Sequence, residues 1–455
     1  MRRVVGDEAV IWLQTDGPAT VRVQAGPAEA VQSTFEVEGV HLALPIVSGL
    51  PTGDTEYRVY LDERQVWPPR HQPPSLIRIG TGAWTKIAFG SCRDPKRRPD
   101  PDALEVFADE VMKSNLLPDL LALIGDQIYA DEVWAFEEYV ALYQAAWSNS
   151  SVRWLLSTVP TIMIFDDHEI HDDWNSSAAW VAEMSARPHW SDHIRAGLLS
   201  YWLFQHLGNL PPDELRAANP KAPPHNWNFT VDIGRIRVIM LDCRGSRVLD
   251  GPERRMFPQA QWDDLARDTQ ADRDHLVIAC SLPWLLAPAI HHGEGLMEVL
   301  SHRFGGVMER LRRRYDLEHW AAVGHSFEEL TSIIQAAGKP ATVTVIGGDV
   351  HHSYVAQAFL PGRPRLLQVT CSPLNNDLSG TMRTLLRLGW SPLLSGPAAL
   401  AARLAGVPRP AVRWKPLTRP IFANAIATLT FTGDELTTEL HISGGSGGMA
   451  SAARI

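Results

Sequence analysis

The sequence predicts an α/β domain over residues 81–455, preceded by a small all-β domain over residues 1–80. Three observations carry this reading. The first 80 residues hold short alternating runs broken by Gly, Pro and Asp, as half-buried strands do. From residue 85 onward, apolar strand-like runs alternate with amphipathic helical segments, the α/β pattern. The length of 455 residues exceeds one ordinary core.

The elements follow in order. "AVIWLQT", "TVRVQAG", "VQSTFEVEG" and "TEYRVYLDE" read as strands of a fibronectin-like sandwich. "WPPRHQPP" (67–74) reads as a stiff linker after it. Strands are then predicted at "KIAFGS", "LLALIG", "TIMIF", "RIRVIMLD", "HLVIAC", "TVTVIGG" and "RLLQVT", with helices over 133–147 and 194–207. Residues 377–415 are apolar, arginine-bearing and rich in Pro and Gly. They read as a packed irregular excursion, with a lid as the other reading. "NAIATLTFTGDELTTELHI" reads as a hairpin turning at "TGDE".

Bulk properties exclude some functions. A net charge of −10 argues against a nucleic-acid binder, which needs a basic surface. No 18-residue apolar run exists, so no transmembrane segment is predicted. The N-terminus has no apolar h-region, so the chain reads as cytoplasmic, with a mature secreted form as the alternative. Cys92, Cys243, Cys280 and Cys371 are widely spaced without CxxC, which suits a reducing compartment. Oligomeric state is not readable.

The polar residues gather where α/β proteins bind ligands, beyond the C-terminal ends of strands. "AFGSCRD" supplies Cys92, Arg93 and Asp94. "ALIGDQIYAD" supplies Asp126, Tyr129 and Asp131. "FDDHEIHDDW" places five carboxylates and two histidines between Phe165 and Trp174 without one lysine. "VIGGDVHHS" supplies Asp349, His351 and His352. Each alone has a bland reading: a turn aspartate, a buried thiol, a packing tyrosine, a capping histidine. Together they crowd like charges that repel unless a cation neutralises them. Thiolate, phenolate, imidazole and carboxylates are too varied for one ion. They suit a transition-metal site beside a harder, oxygen-rich one. Two ions about 3.5–4 Å apart make a phosphoryl-transfer site.

"FGSCRDP", "IGDQIYAD", "FDDHEIHDDW", "LDCR" and "GGDVHHS", in this order, resemble the PhoD-type alkaline phosphatases of the calcineurin-like metallophosphoesterases. The resemblance covers residues 85–373 or so and extends to the small β domain. It implies two stacked mixed β-sheets flanked by helices, with a dinuclear centre at one edge. It also implies metal-dependent hydrolysis of a small phosphate ester, not a nucleic acid polymer, by a metal-held hydroxide. Cys92, Tyr129, Asp126, Asp167, Asp349 and His351 match metal ligands, Asp126 as the bridge. His168 matches the group facing the leaving oxygen, and Arg93 is assigned to help neutralise phosphate charge. Iron with calcium is the implied pair, other divalent ions being the alternative. Asp94, Asp166, Glu169, His171, Asp172, Asp173 and His352 are candidates to support the ligands. "HLVIACSLPW" lacks a histidine that many relatives place there, leaving Ser281 or a water. A phosphodiesterase or phospholipase is the second reading, and a non-catalytic metal-binding or sensing protein the third.

Overall fold

The computed structural model describes all residues except 81, 83, 98–99, 250–253, 315–316 and 445–447. The first 80 residues form short strands, and every pairing among them is antiparallel. Alternation explains the longest of these sheets. In Thr20–Ala25, Val21, Val23 and Ala25 are buried while the residues between them are not.

The Pro-rich stretch 67–74 is not a linker between domains. The strand Ser75–Ile79 follows it and pairs with Gly53–Leu61, so the stretch is a loop within the small domain. It lies on the helix Ser150–Thr158, where Trp154 Nε1 donates to the Pro73 carbonyl (3.2 Å) and Gln72 Nε2 to that of Ser150 (2.8 Å). Prolines cannot donate to a ladder, which is why the chain leaves the sheet here.

The small domain shares its core with the larger one. Val10, Val37, Val40, Leu42 and Leu44 pack in one cluster with Phe136, Tyr139, Phe165, Trp202 and Phe204. Trp12 Nε1 donates to the Leu203 carbonyl (2.8 Å) and Tyr57 Oη to that of Ser157 (2.6 Å). Deleting residues 1–78 strips this cover from buried aromatic surface. The expected outcome is a chain that aggregates or melts earlier, read by soluble yield and a thermal melt. Wild-type behaviour in both would show that the shared core contributes nothing to the larger domain.

The larger domain stacks two mixed sheets. Six strands run in the order Thr161–Ile164, Leu120–Ile124, Thr85–Gly90, Ala425–Thr432, Glu435–Ser443, Met449–Arg454. The second sheet has seven strands. Its middle is Ile236–Leu241, His275–Cys280, Thr342–Gly347 and Arg363–Thr370, all parallel. The central strands are buried throughout because both faces are covered. Ile87, Phe89, Ala122 and Ile164 from one sheet meet Met240, Val277, Ile346 and Val369 from the other. Residues 377–415 are not irregular: they carry helices Gly380–Gly389 and Pro392–Leu404, capped by Ser379 and Ser391. Ala425–Thr432 and Glu435–Ser443 form the predicted hairpin, and Met449–Arg454 adds a further strand to it. No helix of the described residues is long and apolar enough to cross a membrane. All four thiols are buried and unpaired.

Candidate metal centre

The parallel strands ending at Gly90, Ile124 and Ile164 lie side by side, so their C-terminal loops share one edge. The loop after Gly347 joins them from the second sheet. Gly348 lies so close to Ser91 that a Cβ would stand 2.1 Å from its Oγ. Backbone bonds lace these loops together: Cys92 N–H donates to Gly125, Leu374 N–H to Ser91 and Gly348 N–H to Ser281. Gly125 has φ +108°, and a Cβ there would stand 2.7 Å from that of Asp166. Cys92, Asp126, Asp349 and His351 also hold positive φ, at 56°, 52°, 62° and 49°. Such backbones cost on the order of 1–3 kcal/mol each and cluster at functional sites.

Three groups of donor atoms lie within 4.8 Å of one another. Cys92, Asp126 and His351 form the first. Asp126, Asp167 and His168 form the second. Asp126, Asp166, Asp167 and Asp349 form the third. Asp126 stands in all three. Its Oδ1 and the Oδ2 of Asp166 are buried without any hydrogen-bond partner. A buried carboxylate oxygen without a donor is costly unless a cation meets it. The residues present therefore fit metal ions: mixed sulfur, nitrogen and oxygen donors on one side of Asp126, carboxylates on the other.

Burial is the largest influence on the titration of these groups. Burial, then Asp126 and Asp349, pushes the Cys92 thiol well above its usual range. Burial lowers His351 to about 4, leaving a neutral imidazole with a free lone pair. Burial raises Asp167 to about 6, against the pull of Arg244 and His168. Tyr129 is also raised well above its usual value by burial and then by Asp126 and Cys92, and its hydroxyl accepts from Asn376 Nδ2 at 2.7 Å.

His168 faces this group. Its Nδ1 lies 2.9 Å from Asp131 Oδ1, and its ring sits 4.3 Å from that of Tyr129. Burial lowers its proton affinity, but Asp167, Asp126 and Asp131 outweigh that and hold it well above 6.5. Glu169 is an organiser: it accepts from the backbone N–H groups of Asp126 (3.0 Å), Gln127 (2.7 Å) and Asp166 (2.8 Å) and from Gln205.

Other predicted residues fall elsewhere. Arg93 does not face the donors. It is 2% exposed, its Nε donates to Asp102 (2.8 Å), and its Nη atoms reach Glu105 and the Ala146 carbonyl. It anchors the helix Ala103–Ser114, whose N-cap is Asp102, and these partners occupy its guanidinium. Asp94 binds Lys96 N–H and pairs with Arg97. His171 and His352 pack edge-on or stacked against aromatics. Asp172 lies 3.8 Å from His168 and its N–H donates to Asp131, while the Asp173 N–H donates to Asp167. Ser281 Oγ is buried without a partner, and its Cβ lies beside Gly125.

The basic residue at the centre is Arg244, from the "LDCR" stretch. It is 1% exposed and binds Asp166 (2.5 Å), Asp167 (3.2 Å) and Glu318, with Asp349 at 3.6 Å. His319 bonds Asp349 (3.0 Å) and Glu294 (2.8 Å). Both Glu318 and His319 come from a segment without a strand-end motif.

A family model described as PhoD-like phosphatase matches residues 104–377, and one described as a domain of unknown function (DUF7800) matches residues 1–79. No curated protein matches the chain. A solved structure titled "Structure of PhoD" is 13% identical over 99% of this chain and 87% of its own, with a TM-score of 0.69. A purple acid phosphatase, PPD1, from yellow lupin (Lupinus luteus) seeds is 12% identical over 98% and 71%, with a TM-score of 0.59. At these identities the likeness is one of fold.

Proposed function

We infer, from the premise that this chain belongs to the PhoD-like phosphatase family and is a phosphatase, that it hydrolyses small phosphomonoesters at a dinuclear centre built around Asp126. The observation that carries the reading is Asp126 itself, common to three donor groups and holding an unpartnered buried oxygen. Cys92, Tyr129 and His351 would hold one ion, iron being the best match to thiolate and phenolate. Asp166, Asp167 and Asp349 would hold a harder one such as calcium. When bound, the ions would supply Lewis acidity to the phosphoryl oxygens and lower the pKa of a water to about 7.

The chain's residues do the rest. His168, protonated and steadied by Asp131, is placed to give a proton to the leaving oxygen. Glu169 fixes the loop that carries Asp126 by holding its N–H groups. Arg244 opposes the effect of burial at Asp166 and Asp167, helps hold Glu318 low, and sets the orientation of all three. Asn376 orients the Tyr129 hydroxyl.

The test is hydrolysis of a matched nitrophenyl monoester and diester, with elemental analysis of the same preparation. Activity should favour the monoester, disappear with chelation and return with the metals found. A diester preference above tenfold, about 1.4 kcal/mol, would move the reading to a phosphodiesterase. No turnover of either, in protein shown to hold metal, would sink it.

A further inference from the structure

We propose that the helical pair Gly380–Gly389 and Pro392–Leu404 is a docking surface for an anionic phospholipid bilayer, lying on it without crossing it. The proposal goes beyond the hydrolytic reading and does not rest on it.

Leu393, Leu400 and Leu404 are 83%, 58% and 81% exposed. Their spacings put them on one stripe of the second helix. Leu385 and Leu388, three residues apart on the first helix, are also about half exposed. The other side of the pair is occupied. Ala402 is buried, Gly389 lies against Ile290, and both helices pack on Pro288–Phe304. Phe304, at the end of that supporting helix, is 62% exposed as well. Single exposed leucines are ordinary, but several on adjoining helices form a patch that needs an occupant.

Charge identifies that occupant. From Leu378 to Gly433 there is no Asp or Glu, while Arg383, Arg387, Arg403, Arg409, Arg413, Lys415 and Arg419 are present. Yet the chain as a whole carries −10. A second copy of this surface would set like charges against each other. A nucleic acid would leave the leucines without an apolar partner. An anionic bilayer satisfies both features: leucines enter the acyl boundary and arginines meet the head groups. The pair begins four residues after Asn376, the partner of Tyr129.

Co-sedimentation with vesicles tests this without using activity. At low salt the protein should pellet with vesicles of phosphatidylcholine mixed with phosphatidylglycerol and not with phosphatidylcholine alone. The triple variant Leu393→Asp, Leu400→Asp, Leu404→Asp should weaken this by more than about tenfold with an unchanged thermal melt. Arg403→Glu with Arg409→Glu keeps the apolar stripe and should also weaken binding. Failure of the wild type to bind anionic vesicles, or undiminished binding by the triple variant, would overturn the proposal. So would a dimer in light scattering that the triple variant abolishes, which would make a second copy the occupant.

Discussion

His168→Ala lowers turnover by about 10²–10⁴-fold, the usual range for a lost acid–base group, while metal content stays near wild type. The reason is position. His168 lies beside Asp126 and Asp167, yet its Nδ1 is taken by Asp131. An imidazole held this way presents its other nitrogen to the site as a proton donor. The loss should shrink for esters whose leaving groups need no proton. Asp131→Asn should act in the same direction but less. It removes one of the charges raising the imidazole's proton affinity, so the alkaline limb of the pH–rate profile moves to lower pH. Rates across a series of nitrophenyl and alkyl esters, with metal analysis, check both variants. Equal losses on good and poor leaving groups would show that His168 is not the donor.

Arg244→Gln destabilises the fold by about 3–5 kcal/mol, the range for removing one partner from a buried ion pair. Asp166, Asp167 and Glu318 would be left as buried carboxylates without their shared cation. Some of the loss returns if added metal binds the freed oxygens, since a ligand that binds only the native state stabilises it. Arg244→Lys keeps the charge but cannot span the carboxylates as a planar fork does, so it should recover only part of the stability. Denaturant unfolding with and without metal measures each term. An Arg244→Gln protein as stable as wild type would mean the carboxylates protonate at little cost.

Much of this was legible in the sequence. Continuous apolar runs located the central strands, because strands covered on both faces carry no polar alternation. Polar residues just past those runs located the donors, because parallel strands deliver their C-terminal loops to one edge. What position could not give was direction. Cys92 and Arg93 are neighbours, yet one side chain enters the donor cluster and the other is captured by Asp102 and Glu105 at a helix start. Arg244 was visible as part of a motif, but its four carboxylate partners come from three distant segments. Glu318 and His319 sit on a stretch with no periodicity to mark it. The Pro and Gly of residues 377–415 suggest irregularity, yet the segment carries helices. Pro392 in fact opens a helix in its first turn, where proline is tolerated, after the capping Ser391.

The C-terminal hairpin has a consequence for the order of assembly. The strand leading to Cys92 pairs on one edge with Leu120–Ile124 and on the other with Ala425–Thr432, Ile87 opposite Leu429. At about 5–20 residues per second of synthesis, the second neighbour follows the first strand by roughly 20–70 s. Once His351 is made, every proposed ligand exists while Ala425 is still 74 residues away, and the strand beneath Cys92 has one unpaired edge. An open apolar edge invites pairing with other chains. A nascent chain stopped short of Ala425 would carry a full set of donors on an unfinished sheet, so metal loading belongs after Ala425–Thr432 has paired.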